Sequence, residues 1–256
     1  MPSFSEFNLD EKLVRSITEL GYTNPTPVQD QAIPKVLEGC DLLVSAQTGT
    51  GKTAAFLLPA LDKLNKAPKE KWQGPKILVL VPTRELAMQV ADEAAKFSKY
   101  LSRTKTVCIY GGVPYPIQKK QLARPYELLV ATPGRLIDFI NQGRIDLSNI
   151  DTLVLDEADR MLDMGFLDDV EMICGRTSPD RQTLLFSATW DKRIMGISRT
   201  IQKNPYEIKV APCAVNKKNI AQRLFFADNL GHKVRLLDHI LENSEMEQAI
   251  IFTSTI

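Results

Sequence analysis

Two short segments contain residues whose types and spacing suit phosphate chemistry. The first directly follows an apolar run at 42–44 and reads Ala46-Gln47-Thr48-Gly49-Thr50-Gly51-Lys52-Thr53. Backbone N–H groups of a glycine loop, together with the N-terminus of the helix that follows, bind phosphate groups. Lys52 can reach the β- and γ-phosphates of a nucleotide, and the Thr53 hydroxyl can bind Mg²⁺. The usual pattern begins with glycine rather than Ala46, but the glycines that shape the loop are present. This segment predicts a nucleotide-binding loop.

The second segment is the acidic pair Asp156-Glu157, which follows an apolar run at 153–155. Hydrolysis of a nucleotide needs a metal-holding acid and a group that orients water. Asp156 can reach Mg²⁺ through a water molecule, and Glu157 can orient or deprotonate the attacking water. An acidic pair after a strand is also common at a helix N-terminus, where the helix dipole favours it. Its occurrence in one chain with Lys52 and Thr53 favours the catalytic interpretation.

The elements that position these segments are predicted from the alternation of apolar runs with amphipathic stretches. Buried parallel strands read as continuous apolar runs, and helices form the crossovers between them. We predict strands at 42–44, 77–81, 107–110, 128–131, 153–155 and 184–186, and helices at 53–64, 85–100, 135–142 and 192–202. The fold class is therefore α/β, a doubly wound, mainly parallel sheet flanked by helices. Ligands of such sheets bind at the carboxyl ends of the strands.

The composition changes near Ala211-Pro212, which predicts a domain boundary. We predict a nucleotide-binding domain at 1–211, a linker at 212–219 and the start of a second α/β domain at 220–256. The second domain is expected to begin with a strand at 220–227, a helix at 233–241 and a strand at 249–252. Because about 40 residues cannot bury a core, we expect it to be incomplete. The polar segment 63–75 is predicted to be a surface loop, in which Trp72 stacks on a base or simply packs locally.

Charge and composition exclude several classes of protein. The 32 basic and 31 acidic residues leave a net charge of +1, so nucleic-acid binding must come from a local arrangement of groups. No apolar run approaches the ~20 residues that span a bilayer, and the N-terminus does not resemble a signal peptide. The four cysteines are far apart, as expected for reduced thiols in a cytoplasmic protein.

The acidic segment continues as Asp156-Glu157-Ala158-Asp159, and with this motif the chain is identified as a member of the DEAD-box RNA helicases. Further motifs of that family follow in order across most of residues 1–211. They are Gly21-Tyr22-Thr23-Asn24-Pro25-Thr26-Pro27-Val28-Gln29 with Phe4 ahead of it, Pro82-Thr83-Arg84-Glu85-Leu86-Ala87, Gly111-Gly112, Thr132-Pro133-Gly134-Arg135 and Ser187-Ala188-Thr189. The resemblance implies a recA-like core, and Ala46 is the usual residue of the family at its position.

For the nucleotide, the resemblance implies that ATP binds with Mg²⁺. The amide of Gln29 can both donate and accept, as pairing with the edge of adenine requires. Tyr22 is expected to stack on the adenine, with Phe4 supporting it. The ordinary structural alternatives are a solvated amide at the start of a helix that begins near Pro27, and aromatic side chains that belong to the core.

For the partner, the resemblance implies RNA, bound without sequence specificity. The residues concerned offer hydroxyls, glycine amides and helix N-termini, which bind phosphate and sugar, and the 2′-OH distinguishes RNA from DNA. We call this predicted set the RNA track: Pro82, Thr83, Arg84, Gly111, Gly112, Thr132, Pro133, Gly134 and Arg135. The Pro-Thr-Arg-Glu segment is also typical of an ordinary helix start, and the two interpretations are compatible.

A third set of residues is expected to couple nucleotide state to domain closure. The hydroxyls of Ser187 and Thr189 can hydrogen-bond the Asp159 carboxylate, a role that the resemblance favours. The alternative is that these hydroxyls cap the predicted helix at 192–202.

The function predicted by the resemblance is an ATP-dependent RNA helicase that unwinds short duplexes or remodels ribonucleoprotein. Among subfamilies it looks most like bacterial housekeeping helicases of ribosome assembly, which would make ribosomal particles its partners. The first alternative is an ATP-gated RNA clamp, and the second, which the motifs favour less, is a DNA helicase. Because the chain contains no His-Arg-x-Gly-Arg segment and an arginine finger is worth ~10³–10⁵ in rate, we expect it to bind nucleotide but hydrolyse it poorly.

Overall fold

The computed structural model describes residues 3–68, 74–102, 104–210, 221, 223–242 and 248–253. Internal contacts divide the chain into two units, Met1–Pro212 and Cys213–Ile256. The division falls inside the predicted linker at 212–219. Each unit is described by itself.

The first unit is built on a sheet of seven strands whose pairings are all parallel, in the order β3-β4-β2-β5-β6-β1-β7. This confirms the predicted doubly wound α/β class. The strands are β1 (Leu42–Ser45), β2 (Ile77–Leu80), β3 (Thr106–Ile109), β4 (Leu128–Ala131), β5 (Thr152–Leu155), β6 (Gln182–Ser187) and β7 (Tyr206–Lys209). The six predicted strands are present. The edge strand β7 was not predicted, because Ile208 is its only buried residue and it lacks the apolar run of an inner strand.

The described residues of the first unit form nine α-helices. They are α1 (Glu11–Glu19), α2 (Pro27–Leu37), α3 (Lys52–Lys66), α4 (Arg84–Phe97), α5 (Tyr115–Leu122), α6 (Pro133–Asn141), α7 (Ala158–Asp163), α8 (Leu167–Gly175) and α9 (Lys192–Ile201). A 3₁₀ turn at Phe4–Phe7 precedes them. Helices α1 and α2 precede β1, and the others lie between strands. The prediction of a loop from residue 63 was wrong, because α3 continues to Lys66. Leu64, within this stretch, still packs into the core. Trp72 lies outside the described residues.

The core lies on both faces of the sheet. Side chains alternate along each strand, so Val44 packs with the cluster that includes α1 to α4, while Leu43 packs with the cluster that includes α6 to α9. Strands that are buried on both faces need apolar residues at every position. This explains why the strands that carry the site could be recognised as continuous apolar runs.

The second unit contains the helix α10 (Leu230–Glu242), which covers the predicted helix at 233–241. The strands predicted at 220–227 and 249–252 were wrong, since residues 221, 223–227 and 249–252 form no strand. Their apolar side chains are open to solvent, with Phe226 83% and Phe252 91% exposed. A strand needs a partner for its backbone groups, and an apolar sequence alone does not supply one. Within the described part of the chain, no helix is long and apolar enough to cross a membrane.

Candidate nucleotide and RNA site

The nucleotide-binding loop connects the end of β1 to the start of α3. Gly49 and Gly51 have φ angles of 78° and 90°, which favour glycine because they lie in the left-handed region. The N–H of Ala46 donates to the Ser187 carbonyl at 3.0 Å, so the loop is tied to the end of β6. No side chain caps the N-terminus of α3. Its first N–H groups therefore meet the requirement of an anion site, in which a ligand supplies the missing acceptors.

Lys52 and Asp156 face each other beside this loop. The Lys52 Nζ lies 3.6 Å from Asp156 Oδ1, and the two side chains are only 6% and 2% exposed. Burial raises the pKa of the Asp156 carboxyl, while the charge of Lys52 opposes that shift. The Lys52 Nζ is buried and has no hydrogen-bond partner among the described residues. A buried ammonium without acceptors beside an uncapped helix N-terminus fits a nucleotide phosphate.

The acidic pair lies at the end of β5, two strands away from β1. The N–H of Asp156 donates to the Leu80 carbonyl at 3.0 Å, which fixes the start of the pair. Glu157 has a φ of 52°, a left-handed conformation that is unusual for a residue with a side chain and concentrates at functional sites. Its N–H donates to Asp156 Oδ1 at 2.9 Å. Its carboxylate lies 3.3 Å from the Arg160 guanidinium.

The donor set fits Mg²⁺ bound with a nucleotide. Among the described residues, no three His, Cys, Asp or Glu side chains form a metal cluster of their own. Mg²⁺ in phosphate sites usually binds one or two protein oxygens, the substrate phosphates and several waters. Thr53, the second residue of α3, and Asp156 supply oxygens of the required kind.

Gln29 is 1% exposed, so its amide is not solvated at the start of α2. Its Oε1 accepts from the Thr26 N–H at 2.9 Å, which completes a capping box, and its Nε2 donates to the Gly51 carbonyl at 3.0 Å. The side chain therefore links α2 to the nucleotide-binding loop. The T-x-x-Q spacing from Thr26 to Gln29 is the sequence signal for this box. The predicted contact of Gln29 with adenine stays a prediction.

Phe4 and Tyr22 lie together, as predicted, in an aromatic cluster with Phe97. The ring centroids of Phe4 and Tyr22 are 6.1 Å apart, and those of Tyr22 and Phe97 are 5.7 Å apart, both edge to face. Phe4 is buried in the core, whereas Tyr22 is half-buried. Burial raises the pKa of the Tyr22 hydroxyl. Phe4 thus supports Tyr22 from the inside, and stacking of Tyr22 on adenine stays a prediction.

The first part of the RNA track brings together residues from two crossovers. Pro82 is buried, and Thr83 caps α4 by accepting from the Leu86 N–H at 3.3 Å. Arg84 is exposed, and a Cβ built on Gly112 would lie 3.7 Å from its Nη1. Gly111 and Gly112 are exposed, and Gly112 has a φ of 84°. Backbone without side chains therefore lies beside the Arg84 guanidinium.

The second part of the track begins α6. No side chain caps this helix, whose N-terminus contains Thr132, Pro133 and Gly134. Arg135 was assigned to the RNA track, but its side chain is only 9% exposed. Its Nη1 donates to the Val113 carbonyl at 2.8 Å and to Gln118 Oε1 at 2.9 Å. The guanidinium also lies 4.2 Å from the centroid of the Tyr115 ring. Arg135 therefore joins α6 to α5, and its direct contact with RNA stays a prediction.

The predicted coupling residues are in contact, with one difference. Asp159 Oδ2 accepts from the Thr189 hydroxyl at 3.2 Å and from the N–H groups of Thr189 and Ala188. Ser187 instead donates its hydroxyl to the Thr189 carbonyl at 2.8 Å, so it shapes the loop rather than binding Asp159. The capping alternative was wrong, because Asp191 caps α9. The sequence signal for this cap was an Asp directly before the helix.

A glycine loop between a strand and a helix, with an acidic pair at the end of a nearby parallel strand, defines a P-loop nucleotide-binding domain of recA-like fold. The sequence profile of the DEAD/DEAH box helicases matches residues 26–197, and the chain belongs to that family.

Comparison with individual proteins agrees with this assignment. The chain is 45% identical over 251 residues to the ATP-dependent RNA helicase SrmB of Escherichia coli K12, covering 98% of this chain and 56% of SrmB. It is 42% identical to the DEAD-box helicase RhpA of Helicobacter pylori B128 (99% and 50%) and 41% identical to DeaD of Escherichia coli K12 (99% and 39%). The chain thus spans about half the length of these relatives.

The fold also matches a solved structure. The crystal structure of a hypothetical ATP-dependent RNA helicase from Sulfolobus tokodaii superposes with a TM-score of 0.72 at 38% identity. The match covers 90% of this chain and 65% of the other. The recA-like fold that the motifs predicted is therefore confirmed.

Proposed function

We propose that this chain is the ATP-binding part of an ATP-dependent RNA helicase, a protein that couples ATP hydrolysis to local unwinding of RNA or remodelling of ribonucleoprotein. The observation that carries this proposal is the buried Lys52 Nζ, which has no hydrogen-bond partner among the described residues and lies 3.6 Å from Asp156. Asp156 supplies an opposite charge, but a buried ammonium whose N–H groups have no acceptors is still costly. A nucleotide phosphate supplies the missing acceptors.

Each residue of the site then has a distinct role. The N-terminus of α3 and Lys52 bind the phosphates, while Gln29 and Tyr22 contact the adenine. Thr53 and Asp156 hold Mg²⁺, which neutralises charge on the phosphates when it is bound. Glu157 orients the attacking water, and its left-handed backbone sets the direction of the carboxylate.

RNA binds along the track at the same edge of the sheet. Arg84 supplies a cation, and Gly111, Gly112 and the uncapped start of α6 supply backbone N–H groups for phosphates. Thr83, Thr132, Pro133 and Gly134 shape these contacts. Asp159, through its three hydrogen bonds to Ala188 and Thr189, links the acidic segment to the loop that follows β6. The proposed ligands are ATP, Mg²⁺ and RNA. The family resemblance is what supports the further proposal that the whole protein acts in the cytoplasm with ribosomal particles as partners.

Single-turnover hydrolysis of ATP by an excess of this chain tests the proposal. We expect slow turnover that RNA accelerates more than DNA of the same sequence. The Glu157→Gln variant should bind ATP normally but hydrolyse it about 10²–10⁴-fold more slowly, the range of general-base contributions. The exposed Asp168→Asn on α8 is the matched control and should keep the original rate. Normal turnover by Glu157→Gln would show that Glu157 does not orient the water, and equal acceleration by DNA would contradict an RNA helicase.

A further inference from the structure

A cavity of about 590 Å³ lies at the amino ends of the strands, whereas the nucleotide-binding loop lies at their carboxyl ends. Its lining includes Tyr126 and Glu127, directly before β4, and Leu122 and Ile140, in the last turns of α5 and α6. A cavity of this size falls in the range of ligand-binding clefts. No motif of the family lies in it.

Three arginines, Arg124, Arg144 and Arg176, line this cavity. All three are exposed, and no ion pair or hydrogen bond of their side chains joins them to another described residue. We call this site the arginine cavity. The guanidinium is a planar fork of donors that matches phosphate oxygens. Three such groups around one cavity, with no side-chain acceptor among the described residues, favour an anion.

Two carboxylates also line the arginine cavity, but both already have partners. Glu127 Oε2 accepts from the Lys105 N–H at 2.8 Å. Asp146 accepts from the N–H and the hydroxyl of Ser148, each at 2.9 Å. Neither carboxylate is paired with an arginine in the described part of the chain. With three arginines and two carboxylates, the described lining carries a net charge of +1, and its guanidinium donors can bind an external anion.

The helices α5 and α6 connect the arginine cavity to the RNA track. α5 begins just after Gly112, has the exposed Lys119 and Lys120 in its last turn and contains no acidic residue. α6 begins at Pro133 in the track and reaches the cavity at Ile140. Its nine residues span about 13 Å at ~1.5 Å per residue. At ~3.4 Å per phosphate of a stacked strand, this is about four nucleotides.

We infer that the arginine cavity binds phosphates of the RNA strand where it continues about four nucleotides beyond the track. This inference rests on the proposed function, because the track must first hold the RNA. The path over the exposed Lys119 and Lys120 favours RNA over an acidic protein segment, since it leads from the cavity to the track, where the proposed function already places RNA. The cavity thus extends the binding site and makes the chain prefer longer single-stranded RNA.

Fluorescence anisotropy with single-stranded RNAs of two lengths tests this inference. One RNA of about 6 nucleotides fills only the track, and one of about 16 reaches the cavity. The variant is Arg124→Ala/Arg144→Ala/Arg176→Ala. The control, Lys12→Ala/Lys96→Ala/Arg199→Ala, removes the same charge from exposed positions that do not line the cavity. Circular dichroism and thermal melting show whether both variants are folded.

We expect the arginine variant to bind the long RNA about tenfold more weakly and to lower the slope of log K against log salt by about 2, at ~0.7 per phosphate contact. Its affinity for the short RNA should stay within about twofold of the control. An equal loss of affinity for both RNA lengths, or a long-RNA affinity equal to that of the control, would overturn the assignment of the cavity to RNA. The proposed function would remain intact. A parent chain that binds neither RNA would overturn both.

Discussion

Gln29 and Gly51 meet where the adenine and phosphate parts of the site join. The Gln29 amide bonds to the carbonyl of Gly51, and a Cβ at Gly51 would lie only 2.4 Å from Gln29 Nε2. Glycine is therefore required here both by its φ of 90° and by the close approach of this amide. Because Gln29 bonds to this loop, we expect a substitution at Gln29 also to change phosphate binding.

The Gly51→Ala variant tests this contact. We expect it to lower the free energy of unfolding by about 2–3 kcal/mol, because backbone strain is added to a steric clash. It should also weaken ATP binding. Gly49→Ala is the matched control, since Gly49 has a φ of 78° but no atom within 4 Å of a built Cβ. It should lose only about 1–2 kcal/mol. Urea unfolding and ATP titration measure both effects, and equal losses in the two variants would contradict the Gln29 contact.

Residue types were predictable, but the directions of some side chains were not. Lys52, Asp156 and Asp159 lie where their spacing from strand ends placed them. Arg135 turns inward because Val113 and Gln118 offer acceptors. Ser187 bonds to Thr189 rather than to Asp159. These choices depend on groups that the fold brings together, and a linear motif does not contain that information.

At the scale of elements, α3 and α6 share a feature that suits phosphate binding. Helix α3 follows β1 through the nucleotide-binding loop, α6 follows β4 after one residue, and neither has a side-chain cap. By contrast α2, α4 and α9 are capped by Thr26, Thr83 and Asp191. Helices α5, α7 and α8 also have no side-chain cap, so the absence of a cap does not by itself mark a phosphate site. What sets α3 and α6 apart is that their free N–H groups coincide with the motif residues to which we assign the ATP phosphates and the RNA backbone.

Substitutions of Arg135 and Arg84 distinguish a residue that stabilises the helices from a residue that contacts RNA. Arg135→Ala leaves the Val113 carbonyl and the buried Gln118 amide without their donor, so we expect a loss of about 1–3 kcal/mol in the free energy of unfolding. Arg84→Ala removes an exposed side chain and should change stability by less than about 0.5 kcal/mol while weakening RNA binding. Urea unfolding and RNA anisotropy distinguish the two. A greater loss of stability in Arg84→Ala would contradict these roles.

The strands show how far an apolar pattern predicts structure. Inner strands such as β2 and β5 are buried on both faces and were found at nearly their true bounds. The edge strand β7 was missed, and similar apolar runs in the second unit form no strand among its described residues. The pattern reports burial, whereas pairing depends on a neighbour that lies elsewhere in the chain.

For the whole molecule, a net charge of +1 is compatible with two anionic ligands because the binding groups are local. The nucleotide-binding loop, the acidic pair and the RNA track all follow the carboxyl ends of parallel strands, the usual ligand-binding edge of such sheets. One edge thus places the proposed ATP and RNA sites within reach of each other, and Asp159 joins two of its segments.

Isothermal titration of the 256-residue chain with ATP and Mg²⁺ tests the central claim most directly. We predict saturable binding that prefers ATP over GTP and weakens about tenfold to a hundredfold in Lys52→Ala, as expected for losing a charged contact of about 1.5–3 kcal/mol. The control is Lys63→Ala, an exposed lysine on the same helix, which should bind as the parent chain does. Absence of ATP binding, or equal ATP affinity in Lys52→Ala and the parent chain, would contradict the assignment of this loop as the ATP site.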